Sequence, residues 1–210
     1  MAYFPMFLDI NNKWCLVVGG GEVALRKAKV LLDFGAYVSV VAWDVDKEIR
    51  KLPVSVCERH FVTEDMDGVA LVVAATDDPK FNHKIAEQAR IREIPVNAVD
   101  QPKDCTFIFP SYVKKQNVVG AFSSSGNSPV LAQYLKEETK KVLTDELGTI
   151  NEYMGSIRST VKGVLATESE RKKVYRAVLE ELLKRNEAGQ ELQLSEGELR
   201  EIITKMEEKS

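Results

Sequence analysis

The chain has 210 residues, of which 44% are hydrophobic and 29% charged, and its formal net charge is -3. That is enough chain for one full domain and a smaller one, and the charge gives no reason to expect nucleic acid or an anionic membrane as partner. No apolar stretch is long enough to span a bilayer, and the Met1-Ala2-Tyr3-Phe4-Pro5 start lacks a basic region followed by an apolar signal core. Cys15, Cys57 and Cys105 are odd in number and widely spaced. They argue against a disulfide framework or a zinc site, and fit a reducing cytoplasm.

Trp14-Cys15-Leu16-Val17-Val18 is a continuous apolar run, as expected of a strand buried on both faces. It enters Gly19-Gly20-Gly21-Glu22-Val23-Ala24, which reads G-x-G-x-x-A. In a dinucleotide fingerprint, the first glycine permits a tight turn, the second lets backbone approach a pyrophosphate, and the alanine lets the helix pack closely. From Glu22 the period becomes helical, with Ala24, Ala28 and Leu31 on one face, Leu25 and Leu32 beside them, and Gly35 placed as a C-cap glycine. Tyr37–Ala42 is the second strand and completes a β-α-β unit. Asp44 follows Gly21 at close to the ~20 residues expected of a ribose-binding carboxylate. A solvated loop residue or helix cap would read the same, and Lys47 nearby keeps a phosphorylated cofactor open.

Val54–Cys57 reads as a short third strand and Val69–Ala75 as another doubly buried one, ending at Thr76-Asp77-Asp78-Pro79, a helix start. That helix carries Phe81, Ile85, Ala86 and Ala89 on one side, and Pro95–Asp100 is the last strand. Ligands bind outside the carboxyl ends of strands in open parallel sheets. Gly19 to Gly21, Asp44, Thr76 and Asp100 are therefore expected at one edge. Asp100 is a candidate base for hydride chemistry and equally a turn residue before Gln101-Pro102. His60 and His83 are not at metal-ligand spacing, and no metal site is expected.

After Pro102 the pattern changes. Thr106–Pro110 and Val118–Phe122 read as two strands separated by Lys114-Lys115-Gln116-Asn117. Ser123-Ser124-Ser125-Gly126-Asn127-Ser128-Pro129 then reads as a binding loop, with Ser128-Pro129 starting a helix whose apolar face holds Val130, Leu131, Tyr134 and Leu135. Thr167-x-x-Glu170 and Ser195-x-x-Glu198 read as capping boxes of two further helices. The apolar pattern after the sheet exceeds what a lone hairpin and helix can bury, which points to a homodimer.

Four segments together resemble the N-terminal module of siroheme synthase, the precorrin-2 dehydrogenase and sirohydrochlorin ferrochelatase family. They are Val17–Ala24 with Arg26-Lys27, Ala74–Asp78, Asn97–Asp100, and Phe107–Pro110 through Ser123 to Pro129, and they span most of the first ~145 residues. One departure is Ser125, where the family commonly has glycine.

The resemblance implies an α/β protein: a Rossmann-type parallel sheet, a small α+β dimerisation segment and a C-terminal helical domain. The expected boundaries are 1–105, 106–147 and 148–210. It implies oxidation of precorrin-2 to sirohydrochlorin with NAD⁺, with Fe²⁺ insertion as a further activity of some members, in a cytoplasmic homodimer. It carries the catalytic aspartate to Asp100 and the NAD contacts to Glu22, Val23, Trp43 and Asp44, beside Gly19, Gly20, Gly21 and Thr76 of the fingerprint edge. A phosphorylatable serine falls on Ser124. The polycarboxylate substrate is expected against Ser123, Ser124, Ser125, Asn127 and Lys114, with Lys103, Lys115 and Arg158 as further basic candidates. Two other classes stay open on the residues alone: a non-catalytic NAD-sensing module, and a dehydrogenase of another small substrate on the same fold.

Overall fold

The structure is a computed structural model and describes residues 3–207. The chain divides into two compact units, one ending at Phe109 and one beginning at Pro110.

The first unit is built on five parallel strands in the order β3-β2-β1-β4-β5: β1 (Trp14–Val18), β2 (Tyr37–Ala42), β3 (Ser55–Glu58), β4 (Leu71–Ala74) and β5 (Val96–Ala98). Helix α1 (Glu22–Asp33) and the one-turn α2 (Lys47–Arg50) follow β1 and β2, and α3 (Pro79–Ile91) follows β4. Side chains alternate across a strand. Cys15 and Val17 therefore join Val38, Val40 and Val73 in one core, capped by Ala24, Ala28 and Leu31 of α1. Leu16 and Val18 point the other way and pack with Val72, Ala74 and Val96 against Ile85, Ala86 and Ala89 of α3. This double burial is why β1 and β4 read as unbroken apolar runs. Burying each Val or Leu contributes roughly 1.5–3 kcal/mol. Gly35 takes φ +76 just past α1, as the C-cap reading requires.

The strand order reverses between β1 and β4. Open parallel sheets hold their ligand crevice at such a reversal, outside the carboxyl ends of the strands.

The second unit holds an antiparallel pair, β6 (Ser111–Lys115) and β7 (Val118–Phe122), with α4 (Pro129–Val142) packed on both strands. Four helices follow: α5 (Asp145–Ser156), α6 (Arg158–Val164), α7 (Glu168–Glu187) and α8 (Glu196–Glu207). Their core includes Ile150, Val161, Val174, Val178, Leu182 and Ile203. Both capping boxes form. Thr167 Oγ1 accepts from Glu170 N at 3.2 Å while Glu170 accepts from Thr167 N at 3.0 Å, and Ser195 and Glu198 do the same at 3.3 and 2.8 Å.

One expected strand is corrected. Thr106–Pro110 is not a strand, and the partner of β7 is Ser111–Lys115, so Lys114 and Lys115 lie in the ladder rather than in the turn. Phe107 and Phe109 are apolar because they pack on the α1 side of the sheet, with rings 5.4 Å apart. Asn97 Nδ2 donates to the Phe107 carbonyl at 3.0 Å, which ties the segment down as an extended loop. The last expected strand is also shorter: β5 stops at Ala98, two residues before Asp100.

Candidate cofactor site

The turn after β1 is dictated by backbone crowding. Gly19 has φ +128, and a Cβ there would lie 2.2 Å from the Ala75 carbonyl oxygen. A Cβ at Gly20 would lie 1.9 Å from the Asp44 carbonyl oxygen. These two glycines let the loops after β4 and β2 close against the loop after β1. Gly21 differs, because nothing in the protein lies within 4 Å of its added Cβ. Gly21 is the N-cap of α1 and makes no side-chain cap bond. The first-turn N–H groups of α1, including those of Glu22 and Val23, have no intrahelical acceptor and lie at the positive end of the helix dipole. An open backbone cradle at a helix N-terminus fits a diphosphate.

A cleft of about 520 Å³ opens over this turn. Gly19, Gly20, Gly21, Trp43, Asp44 and Thr76 all line it, whereas Glu22, Val23 and Asp100, also expected at this edge, do not. Thr76 is fixed by Asn82 of α3, only 3% exposed. Asn82 Oδ1 accepts from Thr76 N at 3.0 Å and from Thr76 Oγ1 at 2.7 Å, and Asn82 Nδ2 donates to Thr76 O at 2.9 Å. Asp46, Arg59, His60 and Phe61 line the far end and are not legible as site residues from their own surroundings in the sequence. Their signal is the register: Ala42 pairs with Glu58 across β2 and β3, so residues 59–61 emerge beside Trp43 and Asp44. The His60 ring stacks on Trp43 with centroids 5.1 Å apart and planes 21° apart. Trp43 remains 72% exposed, an aromatic surface left uncovered at the cleft.

Asp100 does not line this cleft. It sits in the turn after β5 at φ +59, in the wall of a second cavity of about 850 Å³ formed with the α3 residues Lys80, His83 and Lys84 and with Lys103. An aspartate tolerates this left-handed backbone better than most residues. Lys27 of α1 lies close enough to feel the Asp100 charge. Burial and Arg26 pull its ammonium below the usual range, while Cys105 and Asp100 act in the opposite sense. His83 Nδ1 lies 2.9 Å from Asp104 Oδ2, and this bond pushes the imidazole pKa up.

In the second unit, Ser123–Ser128 forms a loop closed by its own side chains. Ser123 Oγ accepts from Ser125 N at 3.1 Å, and Ser124 Oγ accepts from Ser128 N at 3.0 Å. Asn127 N donates to Ser124 O at 3.1 Å. Ser125 stands at φ +54, a position that favours glycine. Lys114 pairs with Val119 in the hairpin. These residues and Asp100 belong to different units. Among the described residues no group of three or more His, Cys, Asp or Glu is placed to hold a metal ion, and no helix is long and apolar enough to cross a membrane.

Comparison with known proteins agrees with this geometry. Residues 6–111 match the family model described as "Putative NAD(P)-binding". Siroheme synthase 3 of Aeromonas hydrophila is 39% identical over 183 residues, which cover 85% of this chain and 39% of that protein. A siroheme synthase of an Enterobacter strain is 34% identical over 209 residues, 97% of this chain and 46% of that protein. This chain thus spans less than half the length of these curated relatives. A solved structure titled "SirC, precorrin-2 dehydrogenase" superposes with a TM-score of 0.77 over 98% of this chain and 100% of its own, at 24% identity. That likeness establishes the α/β fold with its helical C-terminal part. By the match over its glycine turn and parallel sheet, the chain belongs to the NAD(P)-binding family of that description.

Proposed function

We propose that this chain is an NAD⁺-dependent precorrin-2 dehydrogenase that yields sirohydrochlorin. The observation that carries the reading is the open Gly21 backbone at the head of α1 beside Asp44, in a chain 39% identical to a siroheme synthase. Bound NAD⁺ would supply the hydride acceptor. Gly19 to Gly21 and the first-turn amides of Glu22 and Val23 hold the diphosphate, and Asp44 accepts hydrogen bonds from the ribose hydroxyls. Trp43 gives the adenine end an apolar surface, and Thr76, held by Asn82, forms the opposite wall.

Loss of a hydride from the substrate releases a proton as well, and Asp100 takes that proton. The lysines that share its cavity (Lys80, Lys84 and Lys103) suit a substrate with many carboxylates. Iron insertion into the product would release two protons from the macrocycle, so Fe²⁺ is a candidate second substrate for the same carboxylate.

We assign the assembly as a homodimer. On α4, Val130, Leu131 and Tyr134 are at least half exposed, and Leu135 is 39% exposed. A second copy would bury that face. Three free cysteines suit a cytoplasmic location. Incubation with NAD⁺ and precorrin-2, followed by absorbance, should show sirohydrochlorin and NADH forming one for one. Tight NAD⁺ binding without turnover would favour a sensing module instead.

A further inference from the structure

An arginine near the second-strand carboxylate is the usual means of accepting a 2′-phosphate. This chain has two arginines at that end, and neither offers a free guanidinium. Arg59 lines the cleft, the only Lys or Arg to do so among the described residues, and its position beside Trp43 follows from the β2–β3 register. Its Nη1 donates to Asp65 Oδ2 at 2.9 Å and to the His60 carbonyl at 3.0 Å, while Nη2 donates to Asp65 Oδ1 at 2.5 Å. Asp65 is itself fixed: its side chain is 11% exposed and its Oδ2 also accepts from Val62 N at 2.9 Å. Arg50 at the end of α2 lies within electrostatic reach of Asp44, and Glu58 holds it through both guanidinium nitrogens.

We propose that Asp65 and Glu58 determine cofactor choice by locking Arg59 and Arg50, so that the ribose end presents carboxylates and rejects a 2′-phosphate. The lock works beside Asp44. Asp44 repels the phosphate directly, while the two paired acids occupy the arginines that would otherwise attract it. Both arginine pairs are planar and two-pronged, the geometry a phosphate would need to displace. Breaking the Arg59 pair would strand the Asp65 carboxylate, whose side chain is only 11% exposed. The inference rests on the reading of the cleft as a dinucleotide site.

The test is calorimetric binding of NAD⁺ and of NADP⁺ to the full chain, which needs no turnover. The parent should bind NAD⁺ more tightly than NADP⁺. Asp65→Asn should keep the packing of the loop, free Arg59, and raise NADP⁺ affinity by about tenfold, the scale of one charge-assisted bond. NAD⁺ affinity should change by less than about twofold, since NAD⁺ has no phosphate for the freed cation. Glu58→Gln should act in the same direction through Arg50. Adding Arg59→Ala to Asp65→Asn should remove the gain.

Should Asp65→Asn not fold, Arg59→Met in the otherwise unchanged chain decides the point. NADP⁺ affinity should stay within about twofold, whereas a tenfold loss would show Arg59 already gripping phosphate and overturn the lock. Folded Asp65→Asn and Glu58→Gln with an unchanged NADP⁺ to NAD⁺ ratio would overturn it too. A parent that binds neither nucleotide would overturn the cofactor site itself, and the lock with it.

Discussion

The two units hold their important loops in opposite ways. In the first, the glycine turn is shaped by backbone against backbone: Gly19 against Ala75 and Gly20 against Asp44, over strands buried on both faces. In the second, Ser123–Ser128 is shaped by hydroxyls that accept from backbone N–H groups, beside an α4 face left exposed. A backbone-packed loop tolerates no added atom but needs no particular side chain. A loop closed by side chains can absorb a change in backbone geometry at small cost. The first design suits a fixed cofactor cradle, the second an adaptable surface.

The comparison can be broken most severely at Asp100, which belongs to the first unit but does not line its cradle. Asp100→Asn should lower dehydrogenase turnover by roughly two to four powers of ten, the scale of a lost general base. Calorimetric NAD⁺ affinity should barely change, because the cradle lies elsewhere. Turnover near the parent level would make Asp100 a turn residue only.

The glycines offer a sharper contrast within one turn. Gly20→Ala should destabilise the first unit by about 3 kcal/mol, at the upper end for overpacking, because the new Cβ meets a carbonyl oxygen that cannot retreat. Gly21→Ala should leave the melting temperature close to that of the parent, since its Cβ meets no protein atom, and should weaken NAD⁺ binding instead. Equal melting losses in the two variants would refute the distinction. In the serine loop, Ser125→Gly should gain under about 1 kcal/mol: relief of the left-handed backbone is partly offset by the entropy of glycine. Thermal melts of the two chains measure it.

The smallest effect appears only in acid. The Glu198 carboxyl is held down to about 2 from its ordinary 4.5, chiefly by the Ser195 backbone N–H and then by Arg185. A depressed folded-state pKa stabilises above the unfolded value and is lost as pH falls through the folded one. The melting temperature of the helical unit should therefore decline between pH 4.5 and about 2, and Glu198→Gln should flatten that decline. An identical slope in the variant would show that the capping box contributes nothing to the acid transition.

Much of this was legible residue by residue. Strands buried on both faces leave unbroken apolar runs, so β1 and β4 could be located, though β4 proved shorter than its run. Caps are local, so Gly35, Thr167 and Ser195 could be assigned from their neighbours in the chain. The misplaced strand at Thr106–Pro110 shows the limit. Apolar residues declare that they pack away from water, but not whether a paired strand or a sheet face covers them, and Phe107 and Phe109 are partly buried by the face.

The amino-acid sequence determined the β-α-β order, the glycine turn and the acid after the second strand, because each is written in residues close together along the chain. The tertiary structure decided that Gly20 is as constrained as Gly19, that His60 stacks on Trp43, and that Arg59 and Arg50 are each held by an acid. The physical reason is the parallel crossover. It sets β3 beside β2, and so brings residues 58–61 against residues 42–44, a neighbourhood that only the strand register creates.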